Sequence, residues 1–400
     1  MSKSKALSSR MTASERRATV SLAAIFALRM LGLFMIMPVF SVYAKTIPGG
    51  DNTVLVGLAI GIYGLTQSLF YIPYGWASDR LGRKPVIVFG LVIFALGSLV
   101  AALSQSLTWI IVGRAIQGAG AISSAVTAFI ADLTTEQSRT KAMATVGGSI
   151  GISFAIAIIA APVVYRWLGM SGLFLAIAVL AIVAIGVVIW IVPEAPHAPV
   201  IKRAPFAEVL RNVELIRLNF GVFVLHATQT ALFVVLPSML VAEGLPVSSA
   251  WKIYLPIMGI SFVLMVPAII AAEKHGKMKQ VMIGAIALIL IGQLSFAELP
   301  STLWTIAVVL LIYFTGFNVL EASQPSMVSK LSPGARKGAA MGVYNTTQAL
   351  GLFCGGAMGG WLLHSEGQRS VFLAVSALVV VWLVVAAGIR RPLVARPTAE

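Results

Sequence analysis

A chain of 400 residues that is 58% hydrophobic and only 11% charged does not close into a water-soluble globule, because its surface would carry apolar patches beyond what soluble monomers tolerate. The single cysteine, Cys354, excludes a disulfide framework, and no G-x-x-x-x-G-K-[ST] loop is present to bind ATP. A formal net charge of +15 would suit a nucleic-acid partner, so the placement of those charges decides the reading.

In chain order, residues 1–19 are basic and polar and are read as an N-terminal tail on the cytoplasmic side. Six apolar runs follow, at residues 20–43, 54–76, 85–103, 108–131, 142–164 and 171–192. Residues 193–217 are a polar interval, in which Pro193, Pro196, Pro199 and Pro205 interrupt any helix. Within it, Phe206, Val209, Leu210, Val213 and Ile216 recur at helical spacing opposite Glu208, Arg211 and Arg217, as in a helix lying on a membrane surface. Six more runs occupy residues 218–242, 251–271, 280–297, 303–326, 340–363 and 371–389, and residues 390–400 form a second cytoplasmic tail. The runs are continuous rather than alternating and match a bilayer in length, so they read as helices and not barrel strands. The predicted class is an all-α membrane protein with twelve transmembrane helices in two pseudo-symmetric six-helix bundles, residues 20–192 and 218–389.

With the N-terminus inside, twenty-three of the twenty-nine Lys and Arg residues fall on the cytoplasmic side, and only Lys45, Arg166, Lys252 and Arg369 fall outside. This positive-inside bias sets both termini in the cytoplasm and removes the need for a nucleic-acid partner. Between the second and third runs lies Gly75-Trp76-Ala77-Ser78-Asp79-Arg80-Leu81-Gly82-Arg83-Lys84. Gly75 and Gly82 permit bends and close helix contact, Asp79 suits a helix start, and Arg80, Arg83 and Lys84 hold the turn inside. A basic turn alone would serve topology and nothing more. An acid–base–any–Gly–base pattern recurs as Glu273-Lys274-His275-Gly276-Lys277, 194 residues later, which divides the chain into two related halves.

The pattern G-x-x-x-D-R-x-G-R-K between two spans resembles the signature loop of the major facilitator superfamily. Arg114, Gln117, Gly118, Gly120 and Ala121 resemble that superfamily's second motif, R-x-x-Q-G-x-G-A. In the fifth run, Gly147, Gly148, Gly151 and Pro162 match the third motif of its drug:proton antiporters only in part, since Ala161 precedes the proline and Val164 and Tyr165 replace the closing glycines. The resemblance extends across nearly the whole chain to bacterial inner-membrane transporters of the superfamily. Some of these continue into a small soluble domain, which is not expected within these 400 residues. It implies a monomeric secondary transporter in the bacterial inner membrane that is not an enzyme. Its expected partners are lipid, protons and a small-molecule substrate, with no cofactor and no metal. The proton gradient is its expected energy source. In the family's closed state the signature loop packs on the eleventh helix, so Asp79 is expected to cap that helix near residues 338–341 and Arg83 to pair with Asp132.

Ionisable groups within the spans are few: Arg29, Arg114, His226 and Glu321, with Asp132 at the end of the fourth. A buried Arg costs ~3 kcal/mol on insertion scales, so each needs a partner or a task. Arg114 either serves the cavity or ties helices together, and His226 either tunes a proton or bonds a helix carbonyl as neutral imidazole. Glu321, the only carboxylate deep in the second half, is expected to carry the coupling proton, with Arg29 and His226 beside it, or else to form a static pair with Arg29. The resemblance places these residues around a central cavity, to which Tyr63, Gln67, Gln229, Tyr313, Asn318, Tyr344 and Gln348 add hydrogen-bonding groups. The expected function is proton-coupled efflux of small amphipathic, drug-like compounds by antiport. A proton-coupled importer or a sugar or metabolite exporter of the same fold is the alternative, and a membrane sensor without transport is the competing class.

Overall fold

The computed structural model describes residues 11–194, 206–332 and 337–389. Helix α1, Ala13–Phe34, begins earlier than its apolar run: Thr12 and Glu15 form a capping box, each side chain bonding the other's backbone N–H. Residues 13–19 are therefore helix, not free tail. The first span breaks at residues 35–36 and resumes as α2, Met37–Ala44, with Pro38, which has no N–H to give, in its first turn. Next come α3, Thr53–Arg80, capped by Asn52, and α4, Arg83–Leu103. The fourth span is also in two pieces, α5, Leu107–Ala119, and α6, Ser123–Leu133. At the break, a Cβ on Gly120 would lie 2.4 Å from the Gly90 carbonyl oxygen, so only glycine lets α4 pass so near.

Helix α7, Glu136–Gly186, holds the fifth and sixth spans, divided where Gly169 takes φ 67°. Beyond the interval come α8, Phe206–Arg211, and α9, Val213–Ala242. Asn212 accepts from the backbone of Glu214 and Leu215 and so starts α9 five residues before its apolar run. This interrupts the surface helix expected over residues 206–218. Val209, expected on its lipid face, is 2% exposed, while Leu210, Val213 and Ile216 are open. The other helices are α10, Trp251–Lys274; α11, Met278–Glu298; α12, Leu303–Leu331; α13, Lys337–Ser365; and α14, Gln368–Ala387. All twelve apolar runs are thus helical, and the described residues contain no strand.

Packing repeats between the halves. α1 lies on α7, α4 on α5 and α7, and α3 on α5; correspondingly α9 lies on α13, α11 on α12 and α14, and α10 on α12. The halves join along α3 and α13, which run antiparallel in close contact. A Cβ on Gly57 would lie 2.2 Å from the Gly356 carbonyl oxygen, and one on Gly64 would lie 2.3 Å from that of Ala349. Thr53 donates to the Gly360 carbonyl at 2.9 Å at the end away from the termini. Toward the termini, Gly147, Gly148, Gly151 and Gly338 would meet nothing within 4 Å of an added Cβ. The described contacts between the halves are thus closest along the α3–α13 crossing.

Candidate functional site

Two guanidiniums are buried among the described residues of the first half, both within 6 Å of the centre of one tyrosine ring. The Arg114 Cζ lies 4.9 Å from the Tyr63 ring centre, and that of Arg29 5.6 Å. Arg114 is fully engaged: Nη1 donates to Gln117 Oε1 at 2.7 Å, and Nε and Nη2 reach the carbonyls of Ala59 and Ile60 at 3.4 and 3.5 Å. Gln117 passes the chain on, its Nε2 donating to Ser98 at 2.7 Å. Gly118 brings α5 against α3, since a Cβ there would lie 2.1 Å from Thr66 Oγ1. The second motif is therefore a tie among α3, α4 and α5. Arg29 differs. It is 2% exposed, its Nη1 donates to Ser123 at 2.6 Å, and Nε and Nη2 have no partner among the described residues.

The second half carries the acid. His226 Nδ1 lies 3.1 Å from the Val222 carbonyl, which can only accept, so Nδ1 holds the hydrogen. Nε2 is then free to accept from Gln348 at 2.7 Å. Glu321 Oε2 lies 3.5 Å from the same Nε2 and makes no hydrogen bond. Two lone pairs face each other there, and one added proton would convert that contact into attraction. Arg29 forms no ion pair with Glu321 in this conformation; among the described residues its hydrogen bond is to Ser123 of its own half.

The remaining candidate wall residues divide into two groups. Tyr313 meets Thr228 at 3.1 Å and Asn318 donates to Ser261 at 2.9 Å, so these two tie neighbouring helices together, while Gln67 donates to Tyr71 at 2.6 Å within α3. The Tyr63 and Tyr344 hydroxyls and both ends of the Gln229 amide have no partner among the described residues. Sequence reasoning missed the aromatic group that bridges the halves. Phe154 of α7 lies 5.0 Å from Phe34 in its own half, and 6.1, 5.8 and 5.5 Å from Phe233, Phe314 and Phe317 across the seam. Phenylalanines abound in every apolar run, so no spacing signal marks these five.

At the terminal face, Arg83 is the centre of the signature loop. Its Nε donates to Asp132 at 2.6 Å, and its Nη1 donates to Ser78 at 2.8 Å and Asp79 at 2.5 Å. The expected Arg83–Asp132 pair is present. Arg80 lies over the Trp76 ring at 4.1 Å, and Gly82 turns the chain with φ 93°. Gly75 lies within α3, and a Cβ there would make only ordinary contact, 3.6 Å from Ser124, so close packing does not require glycine in this conformation. Lys84 opens α4. Residues 338–341, near which Asp79 is expected to cap a helix, form the first turn of α13, and residues 333–336, which precede that helix, lie outside the described residues. A feature not expected is the Glu15 carboxylate, which accepts from the Thr12 and Thr135 backbones, the Thr12 and Thr135 hydroxyls and Ser138, at 2.8–3.3 Å. The T-x-x-E of its capping box was legible in the sequence; the reach to Thr135 was not.

A family model described as Major Facilitator Superfamily matches residues 22–352 and 260–400. The inner membrane transport protein YajR of Escherichia coli (strain K12) is 46% identical over 389 residues, covering 96% of this chain and 85% of that protein. The multidrug resistance protein MdtH of Aeromonas salmonicida (strain A449) is 27% identical, over 84% of this chain and 86% of that one. Among solved structures, a bacterial homologue of the human lysosomal transporter Spinster superposes with a TM-score of 0.76 at 14% identity, covering 96% of this chain and 98% of that chain.

Proposed function

The chain belongs to the Major Facilitator Superfamily and is a secondary transporter, and on that premise we propose that it couples transport to the proton gradient through Glu321 and His226. The observation that carries this is the buried Glu321–His226 contact at 3.5 Å, a carboxylate and an imidazole nitrogen placed to share one proton. A charge left on Glu321 opposes burial, so proton uptake eases its passage through the closed seam. Rocking of the two halves then exposes that proton site to each face in turn. Both termini lie in the cytoplasm, as the positive-inside bias requires.

The direction is export of small amphipathic compounds in exchange for protons. Its support is the multidrug resistance protein among the relatives, together with the mostly apolar seam. Uptake together with the proton is the second reading, favoured by the open edge of Arg29: an anion there and a proton on Glu321 would assist rather than exclude each other. Purified protein in liposomes of imposed pH difference decides, with ethidium and 1-naphthoate as cationic and anionic amphipathic probes. Export by antiport requires probe to accumulate on the acid side and Glu321→Gln to abolish the gradient response. Accumulation on the alkaline side establishes uptake, and accumulation indifferent to pH in the native protein sinks proton coupling altogether.

A further inference from the structure

We propose that Arg29 is the anchor for a carboxylate, or a similar oxyanion, carried by the transported molecule. The proposal rests on the carrier reading but not on its direction or on proton coupling. Its basis is which atoms of the guanidinium are engaged. Ser123 holds Nη1 at 2.6 Å, while Nε and Nη2 are buried and bonded to nothing among the described residues. Those two nitrogens form one edge of the planar group, the edge that takes a carboxylate through two parallel N–H···O bonds. Arg29 is thus held from behind and presents its bidentate face.

Among the described residues the surroundings supply no competing acid. The other titratable groups facing this region are Tyr63, Tyr74 and the second guanidinium, Arg114, whose ring contact with Tyr63 adds positive charge and no counter-ion. The Tyr63 and Tyr74 hydroxyls have no partner among the described residues and are further donors to an oxyanion. A guanidinium kept at 2% exposure with two unmet N–H groups is costly to bury. A helix-tying role does not explain that cost, because Arg114, which has such a role, satisfies all three of its nitrogens. Lysine would not present the same edge, since its ammonium is a point charge without a planar fork.

Binding can be measured without flux, on the full chain in lipid nanodiscs, using three probes of the same size: 1-naphthoate, 1-naphthamide and 1-naphthylmethylammonium. Native protein should prefer naphthoate over naphthamide by about tenfold or more. Arg29→Gln should bring the two probes level while keeping naphthamide affinity, which certifies the fold; Arg29→Lys should retain an intermediate preference. A native protein that binds naphthoate no better than naphthamide, or not at all, overturns the proposal, as does a preference that survives Arg29→Gln. An edge reserved for Glu321 in another conformation predicts a naphthoate preference only in Glu321→Gln, and that pattern also overturns it. Because no gradient enters the assay, failure of proton coupling leaves this result standing, and the reverse holds too.

Discussion

The two halves share one helical frame and divide the chemistry between them. In the first, among the described residues, two buried guanidiniums share a tyrosine ring with no acid bonded to either. The second buries a carboxylate and an imidazole with no cation paired to them among the described residues. The frame comes from what repeats: apolar runs, glycines at crossings, and the acid–base–Gly turn, in which Gly82 and Gly276 both have positive φ. What the site does comes from what fails to repeat. Opposite charges on opposite sides of a moving seam respond to its opening, whereas a symmetric distribution would not.

The comparison within the first half gives the largest expected effect. Arg114 and Arg29 are alike in burial and unlike in partners, so equal substitutions should have unequal costs. Arg114→Gln breaks a satisfied network and strands the Gln117 amide oxygen, a loss of about 3 kcal/mol or more. Arg29→Gln removes an under-bonded charge and should leave thermal unfolding nearly unchanged or slightly raised. Differential scanning of the detergent-solubilised variants reads this directly. A larger drop for Arg29→Gln would mean that its open edge is structural, and the distinction between the two arginines would be lost.

Much of this was legible in the sequence, and the limits have physical causes. Twelve spans followed from run length alone, because a bilayer leaves no alternative to helices. The Arg83–Asp132 pair was readable because both groups lie at the ends of neighbouring spans on one face. The breaks before Pro38 and at Gly120 were not placed: a proline can sit in a helix's first turn as well as interrupt a span, and the break at Gly120 depends on the α4 backbone passing close by. Which arginine is free and which is bonded was also invisible: Ser98, Ser123 and Gln117 sit on three different elements, and no spacing in the chain declares that they meet. Val209 went the same way, turned into protein by the packing of α8 under α13.

The helix starts of the two halves sharpen the contrast at a smaller scale. α1 is tied across 120 residues by Glu15 to Thr135, whereas α9 is capped locally by Asn212. Glu15→Gln keeps one acceptor oxygen but turns an NH₂ toward donors, so the bonds to Thr135 or Thr12 must be lost. Hydrogen exchange at the Thr135 amide should accelerate by about tenfold, the equivalent of roughly 1.4 kcal/mol. Asn212→Ala should fray only the first turn of α9, at a cost of about 1 kcal/mol. If exchange at Thr135 is unchanged, the long reach of Glu15 contributes nothing beyond its own cap.

The repeated turns provide the smallest and most discriminating test. In the first copy, Arg83 binds Ser78, Asp79 and Asp132 at once. In the second, Glu273, Lys274 and Lys277 are exposed and show no ion pair among the described residues. A gate that works through the first copy should weaken with Asp79→Asn and ignore Glu273→Gln. Asp79 and Arg83 are partly exposed, and such pairs contribute about 0.2–1 kcal/mol. The expected change is therefore modest, up to about fivefold, in labelling rate of a cysteine placed at Gly151, where an added side chain meets open space in this conformation. A Cys354→Ser background removes the native thiol from the readout. Faster labelling in Asp79→Asn means that Asp79 helps close the terminal face, because losing it lengthens the time that face stays open. Equal acceleration by Glu273→Gln would show that the two turns share the gate, and no acceleration by either would move the closing contact elsewhere in the seam.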